Sequence, residues 1–122
     1  MIGYATLGTN DLKRAGSFYD ALLGELGATR QMELDRAIFW STGSGSPMLS
    51  VIKPFDGKPA TVGNGTMVAL AIDSHEKIKM LHAKALQLGG TDEGEPGERM
   101  KGFYAAYFRD LDGNKLALFK MG

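Results

Sequence analysis

The chain has 122 residues, room for one domain with one sizeable core, and its 14 basic residues are balanced by 14 acidic ones. No basic run or stripe stands out, so neither nucleic acid nor an anionic membrane has an electrostatic handle on it. Cysteine is absent, which excludes disulfides, thiol catalysis and thiolate metal sites together.

Ile2 to Leu7 alternates apolar and polar and reads as the first strand. Met1 leads straight into it with no basic-then-apolar leader, so a cytoplasmic protein is expected. Thr9-Asn10-Asp11 offers side-chain oxygens that can cap a helix. Leu12, Ala15, Phe18, Tyr19, Leu22, Leu23 and Leu26 then follow at helical spacing and make one apolar stripe, with Gly27 as its stop. Three short strands are expected next, at Ala28–Glu33, Arg36–Thr42 and Met48–Lys53, separated by turn-forming residues.

Pro54 to Gly65, rich in proline and glycine, is the one linker-like segment. After it the pattern restarts. Thr66 to Asp73 reads as a strand, and Ser74 caps a helix running to about Leu88 with Ile78, Leu81, Ala85 and Leu88 buried. A weak strand is expected near Thr91. Phe103–Arg109 and Lys115–Phe119 then form a hairpin around Asp110-Leu111-Asp112-Gly113-Asn114, residues that tolerate tight turns. Strand, helix and three strands thus occur twice, at a spacing of roughly sixty residues.

The aromatic strand followed by Arg109-Asp110-Leu111-Asp112-Gly113-Asn114-Lys115 and a short apolar strand resembles the end of vicinal oxygen chelate (VOC) proteins. That superfamily includes glyoxalase I, the extradiol dioxygenases, and the fosfomycin and bleomycin resistance proteins. Tyr4-Ala5-Thr6-Leu7-Gly8-Thr9-Asn10-Asp11 with Phe18-Tyr19 resembles the family's opening, and Leu81 to Gly90 its second helix. The resemblance implies an α+β fold of two βαβββ modules that form a curved, mostly antiparallel sheet with helices on its outer face. It places module 1 at about residues 1–56 and module 2 at about 60–122 of a single domain, and implies a homodimer with a ligand in the concave side.

Family enzymes hold a divalent metal with His, Gln or Glu from the first strand of each module and the last strand of one or both. Carried over by position, those places fall on Tyr4, Met67 and Ala117. A phenol is a rare ligand, a thioether is soft, and a methyl group binds nothing. No metal and no other cofactor is therefore expected, although a divalent ion is the family's default. What remains to line the cup is Tyr4, Trp40 (of the pair Phe39-Trp40 only one can face in), Met67, Tyr104, Tyr107, Arg109, Ala117 and Phe119. Each of these aromatics also fits the core, which is where strand aromatics usually lie.

Gly97 to Gly102 reads either as a solvated loop or as a flap, with Arg99 and Lys101 as its cations. His82, on the packing face of its helix, reads as a hydrogen-bonded structural residue before a catalytic one, and His75 as solvated. Asp110 to Asn114 lacks the spacing and terminal acid of a calcium loop and reads as a turn. The leading functional expectation is a protein that binds a small organic molecule without a metal. A glyoxalase-like lyase or other metal-dependent VOC enzyme is the alternative, and a structural dimerisation module the third. Neither nucleic acid nor a membrane is expected as a partner.

Overall fold

The computed structural model describes residues 1–122, and the chain divides into two compact units, Met1–Val62 and Gly63–Gly122. The first contains β1 (Tyr4–Gly8), α1 (Leu12–Gly24), β2 (Thr29–Glu33), β3 (Ala37–Ser41) and β4 (Met48–Ile52). The second repeats that order with β5 (Val68–Ala71), α2 (His75–Gln87), β6 (Thr91–Met100), β7 (Phe103–Arg109) and β8 (Lys115–Met121). This is the doubled βαβββ architecture that the sequence pattern predicts. Each unit has its own four-stranded sheet, ordered β1-β4-β3-β2 and β5-β8-β7-β6. The pairs β1–β4 and β5–β8 are parallel and the others antiparallel, because each helix carries the chain across its sheet before the three-strand meander returns. Each unit accordingly buries side chains in a helix-on-sheet layer of its own.

In the first unit the Asp11 carboxylate caps α1 by accepting from Arg14 N at 3.0 Å. Ala15, Phe18, Tyr19, Leu22 and Leu23 are buried, and the sheet answers with Leu7, Ile38, Trp40, Leu49 and Val51. In the second, Ser74 Oγ accepts from Lys77 N at 3.1 Å to start α2. Ile78, Leu81 and Ala85 are sealed, as are Ala106, Phe108, Leu116 and Leu118 on the sheet. Burying one such large apolar side chain contributes about 1.5–3 kcal/mol, so each layer stabilises its own unit. No helix is long and apolar enough to cross a membrane.

Three boundaries differ from the sequence expectation. Helix α1 ends at Gly24, two residues early, and the chain turns through Leu26 and Gly27 by backbone bonds to Leu23 and Gly24. Strand β5 is shorter than Thr66–Asp73. The larger change is β6. Ten residues form the strand, although they include Gly94, Pro96 and Gly97, which sequence rules count as strand breakers. The strand is an edge, and register shifts at 92/94, 94/97 and 98/100 absorb the breakers as bulges. The segment read as a loop or flap is therefore mostly strand: Glu98 pairs with Tyr104 and Met100 with Phe103, leaving Lys101 and Gly102 as the turn.

The Asp110–Asn114 segment is a closed turn. Asp110 Oδ1 accepts from Asp112 N and Asn114 N, both at 2.9 Å, and Oδ2 accepts from Asn114 Nδ2 at 3.0 Å. Gly113 supplies the positive φ of 90° that the turn needs. The carboxylate's oxygens are committed to the backbone and the Asn114 side chain of its own turn, which accounts for the acid-rich motif without a cation.

Candidate functional site

Strand periodicity sorts every candidate onto one of two faces. In the Met1–Val62 unit, Tyr4 is in register with Met48, Thr6 with Ser50, and Phe39 with Ser50. These residues, with Met32 opposite Phe39, share the face turned away from α1. Tyr4 is 57% exposed and meets the Phe39 ring edge-on at 5.3 Å. Trp40 lies on the opposite face. Its ring is 1% exposed, 5.7 Å from Tyr19 of α1, and its indole N–H donates to Asp20 Oδ1 at 2.9 Å. Of the Phe39-Trp40 pair it is Phe39 that stands beside Tyr4.

Asp20 also takes a two-point bond from Arg30, Nε at 2.9 Å and Nη2 at 2.8 Å, while Arg30 Nη1 reaches Glu33 at 2.9 Å. The Arg30 guanidinium is the main cause holding the Asp20 carboxyl below its usual range, helped by the Trp40 N–H and opposed by partial burial. Arg30 lies close against α1 because residue 16 is glycine. A Cβ there would sit 2.8 Å from Arg30 Nη2 and 2.9 Å from Ile38 Cδ1. Sequence reasoning missed this network, although a glycine in the middle of the apolar stripe of α1 was a signal of close approach.

In the Gly63–Gly122 unit the register places Ala69, Ala117 and Tyr107 on the face turned away from α2. Phe103, Arg109, Lys115 and Phe119 share it, and Met67 precedes Ala69 by one pleat. Phe103 and Phe119 stack at 6.0 Å. Ala117 is on this face but buried. Tyr104 is on the other: its ring stacks on His75, the first residue of α2, at 3.9 Å. His75 is thus exposed but stacked. Arg99 lies over the Tyr107 ring at 5.3 Å and donates to Glu95 O, and Lys101 is in the exposed turn.

His82 is buried, with Nε2 3.0 Å from Asp92 Oδ1 and 3.2 Å from Tyr107 O. Both neighbours are acceptors, so Nε2 carries the proton and donates to both. Asp92 is held below the usual carboxylate range chiefly by the backbone N–H of Gly94, at 2.9 Å, and then by His82. This is a histidine engaged in holding a helix to its sheet.

A cleft of about 360 Å³ opens in the second unit, lined by Gly63, Asn64, Gly65, Thr66, Met67, Arg109 and Lys115. It brings together two of the sequence-nominated residues, Met67 and Arg109. A second cleft, of about 540 Å³, lies in the first unit among Asn10, Arg36, Lys53, Phe55 and Lys58; sequence reasoning did not foresee it. Phe55 there is exposed with the Arg36 guanidinium 5.3 Å from its ring, and Asn10 Oδ1 accepts from Ala60 N at 2.6 Å.

The positions that would hold a divalent metal do not fit one. Tyr4, Met67 and Ala117 present a phenol, a thioether and a methyl group, and Thr6, Ser50, Ala69 and Tyr107 around them add neither imidazole nor carboxylate. Nor do three or more His, Asp or Glu side chains gather anywhere else in the chain.

A sequence model of the Glyoxalase/Bleomycin resistance protein/Dioxygenase superfamily matches residues 1–118. Among solved structures, a glyoxalase/bleomycin resistance protein from Albidiferax ferrireducens is 36% identical, with a TM-score of 0.91 over 100% of this chain and 99% of that one. A lactoylglutathione lyase from Agrobacterium tumefaciens has a TM-score of 0.73 at 21% identity, covering 98% and 92% of the two chains. A glyoxalase/bleomycin resistance protein/dioxygenase family enzyme from Burkholderia phytofirmans has a TM-score of 0.78 at 14% identity, covering 98% of each. These last two likenesses concern the fold alone. Curated proteins give no significant match.

Proposed function

Because the chain belongs to the Glyoxalase/Bleomycin resistance protein/Dioxygenase superfamily, we propose that it binds a small organic molecule on the sheet faces turned away from its helices, without a metal ion held at Tyr4, Met67 and Ala117. The observation that carries this reading is the exposed apolar character of those faces. Tyr4 at 57%, Met32 at 43% and Met67 at 43% are open to solvent although each sits on or beside a regular strand. Large apolar side chains clustered on an exposed face mark contact surfaces. Around them stand a few polar groups able to orient a ligand, the Tyr4 hydroxyl in one unit and the Arg109 and Lys115 cations in the other.

Part of the same surface is assigned to pairing with a second copy of the chain, which would cover apolar side chains that one copy leaves in water. The protein would act on its ligand by sequestering or recognising it. A library of small organic molecules screened by ¹⁵N-¹H NMR tests the proposal. Saturable shifts confined to residues of the Tyr4 and Met67 faces are expected. Hits that shift only the helix-side residues, or a stoichiometric metal that must bind first, would overturn it.

A further inference from the structure

Arg109 and Lys115 are direct cross-strand partners at the closed end of the β7–β8 hairpin, which sets two cations side by side on one face of the sheet. Like charges so placed repel. Only one carboxylate answers them: Glu93 accepts from Arg109 Nε at 2.8 Å. Arg109 Nη1 is spent on Gly113 O at 3.0 Å. The Lys115 ammonium has no carboxylate partner and rests 5.4 Å from the centre of the Tyr107 ring. Arg99 lies over the same ring, so two cations flank it in a chain whose total charge is zero.

Strand β6 is shaped to permit this. A Cβ at Gly94 would come within 2.8 Å of Tyr107 Cδ2 and 3.2 Å of Arg99 Nη2, and one at Gly97 within 3.1 Å of Arg99 Nη1. The two glycines leave the room that the ring and guanidinium fill. Arg109 and Lys115 in turn line the cleft of about 360 Å³, with Met67 as its apolar wall and Asn64 and Thr66 as hydrogen-bonding groups. Small-molecule sites start at about 300 Å³, so the space suits a compact ligand.

We propose that this cleft takes a small organic anion, a carboxylate or phosphate monoester on an apolar body, with the anionic group between Arg109 and Lys115 and the body against Met67. An anion there would relieve the repulsion between the paired cations, and Arg109 Nη2, the guanidinium nitrogen engaged by neither Glu93 nor Gly113, is left to donate to an oxyanion. The assignment rests on the reading that the faces away from the helices bind small molecules, and it names the chemical class that one of them selects.

The test uses three matched probes, 2-naphthoate, 2-naphthyl phosphate and 2-naphthylmethanol, titrated into the ¹⁵N-labelled full chain at low salt. Both anions are expected to bind about tenfold more tightly than the alcohol, with shifts centred on residues 63–67, 109 and 115. Lys115→Gln should remove most of that preference by weakening both anions, and Lys115→Arg should restore it. The order of the two anions then says whether carboxylate or phosphate is preferred. Equal affinity for all three probes at those residues overturns the anion assignment and leaves the binding reading intact. No binding by any probe overturns both. An anion preference that survives Lys115→Gln and Arg109→Gln, in variants whose spectra remain dispersed, places the anion elsewhere and overturns the assignment.

Discussion

Asp20→Ala would strip α1 of its polar attachment to the sheet, and the structure says which part of that loss dominates. The carboxylate accepts from the Trp40 indole N–H at 2.9 Å and from two nitrogens of Arg30 at 2.9 and 2.8 Å. Trp40 is 1% exposed, so its N–H has little access to water, and an unpaired buried donor costs about 1–3 kcal/mol. The ion pair matters less. Its side chains are 29% and 47% exposed, and Arg30 keeps Glu33, so its loss costs about 0.2–1 kcal/mol. Asp20→Ala should therefore destabilise by about 1–4 kcal/mol, while Asp20→Asn, which retains an acceptor for the indole, should cost about 1 kcal/mol or less. Urea unfolding followed by fluorescence of the single tryptophan and by circular dichroism measures both, and coincidence of the two probes checks that the transition is two-state. The sign with pH follows from Arg30 lowering the Asp20 pKa. The charge contribution is present above the unfolded carboxyl value of about 3.9 and is lost as pH falls through the lower folded value, so wild type and Asp20→Asn should converge in acid. Equal losses in the Ala and Asn variants at neutral pH would refute the argument that the buried indole sets the cost.

Four further outcomes are expected. Elemental analysis after exposure to zinc, nickel, manganese and iron(II) should find well under one ion per chain; an equimolar ion lost on Tyr4→Phe would restore the metal-dependent lyase or dioxygenase. Sedimentation at micromolar concentration should report a dimer, for which each copy must bury roughly 800 Å², and a monomer across that range counts against the pairing. Ligands of the Tyr4 face should leave Trp40 emission nearly unchanged, because the ring lies beneath α1; a strong saturable quench would contradict that placement. Asp92, whose pKa is lowered first by Gly94 N–H and then by His82, adds a charge contribution that persists above about pH 3.9 and fades below it. Asp92→Asn should thus be less stable than wild type at neutral pH and approach it in acid, and a constant difference across pH would assign the loss to packing.

The doubled βαβββ order was legible because its signals are local. Asp11 and Ser74 cap the helices they were expected to cap, and the apolar stripe that includes Phe18 and Leu22 is the buried one. The hairpin at Asp110–Asn114 was equally plain, since its turn is closed by its own side chains. What the sequence hid is what tertiary contacts decide. Strand β6 reads as broken because Gly94, Pro96 and Gly97 are breakers in isolation, and only pairing with β7 shows them taken up as bulges. Trp40 and Tyr104 read as ligand-facing by residue type alone. Alternation limits each to one face but does not say which face the helix covers.

That choice of face has a common physical cause in the two units. Asp20 and His82 both lie in the second half of their helices, and each bonds the second residue of the strand that follows, Arg30 in β2 and Asp92 in β6. The charge order is reversed: acid on the helix and base on the strand in one unit, base on the helix and acid on the strand in the other. The strand position is the same, the helix position differs by one residue, and the chemistry is exchanged. Such a joint places polar groups on the helix side of the sheet, where an aromatic residue with a polar atom can be buried at little cost. Trp40 uses Asp20 in that way. Tyr104 gains the His75 ring on the same side of its own sheet. The opposite faces contain no such joint. Their aromatic, thioether and cationic side chains, Tyr4, Met67, Tyr107, Arg109 and Lys115 among them, are consequently not covered by the helix of their own unit.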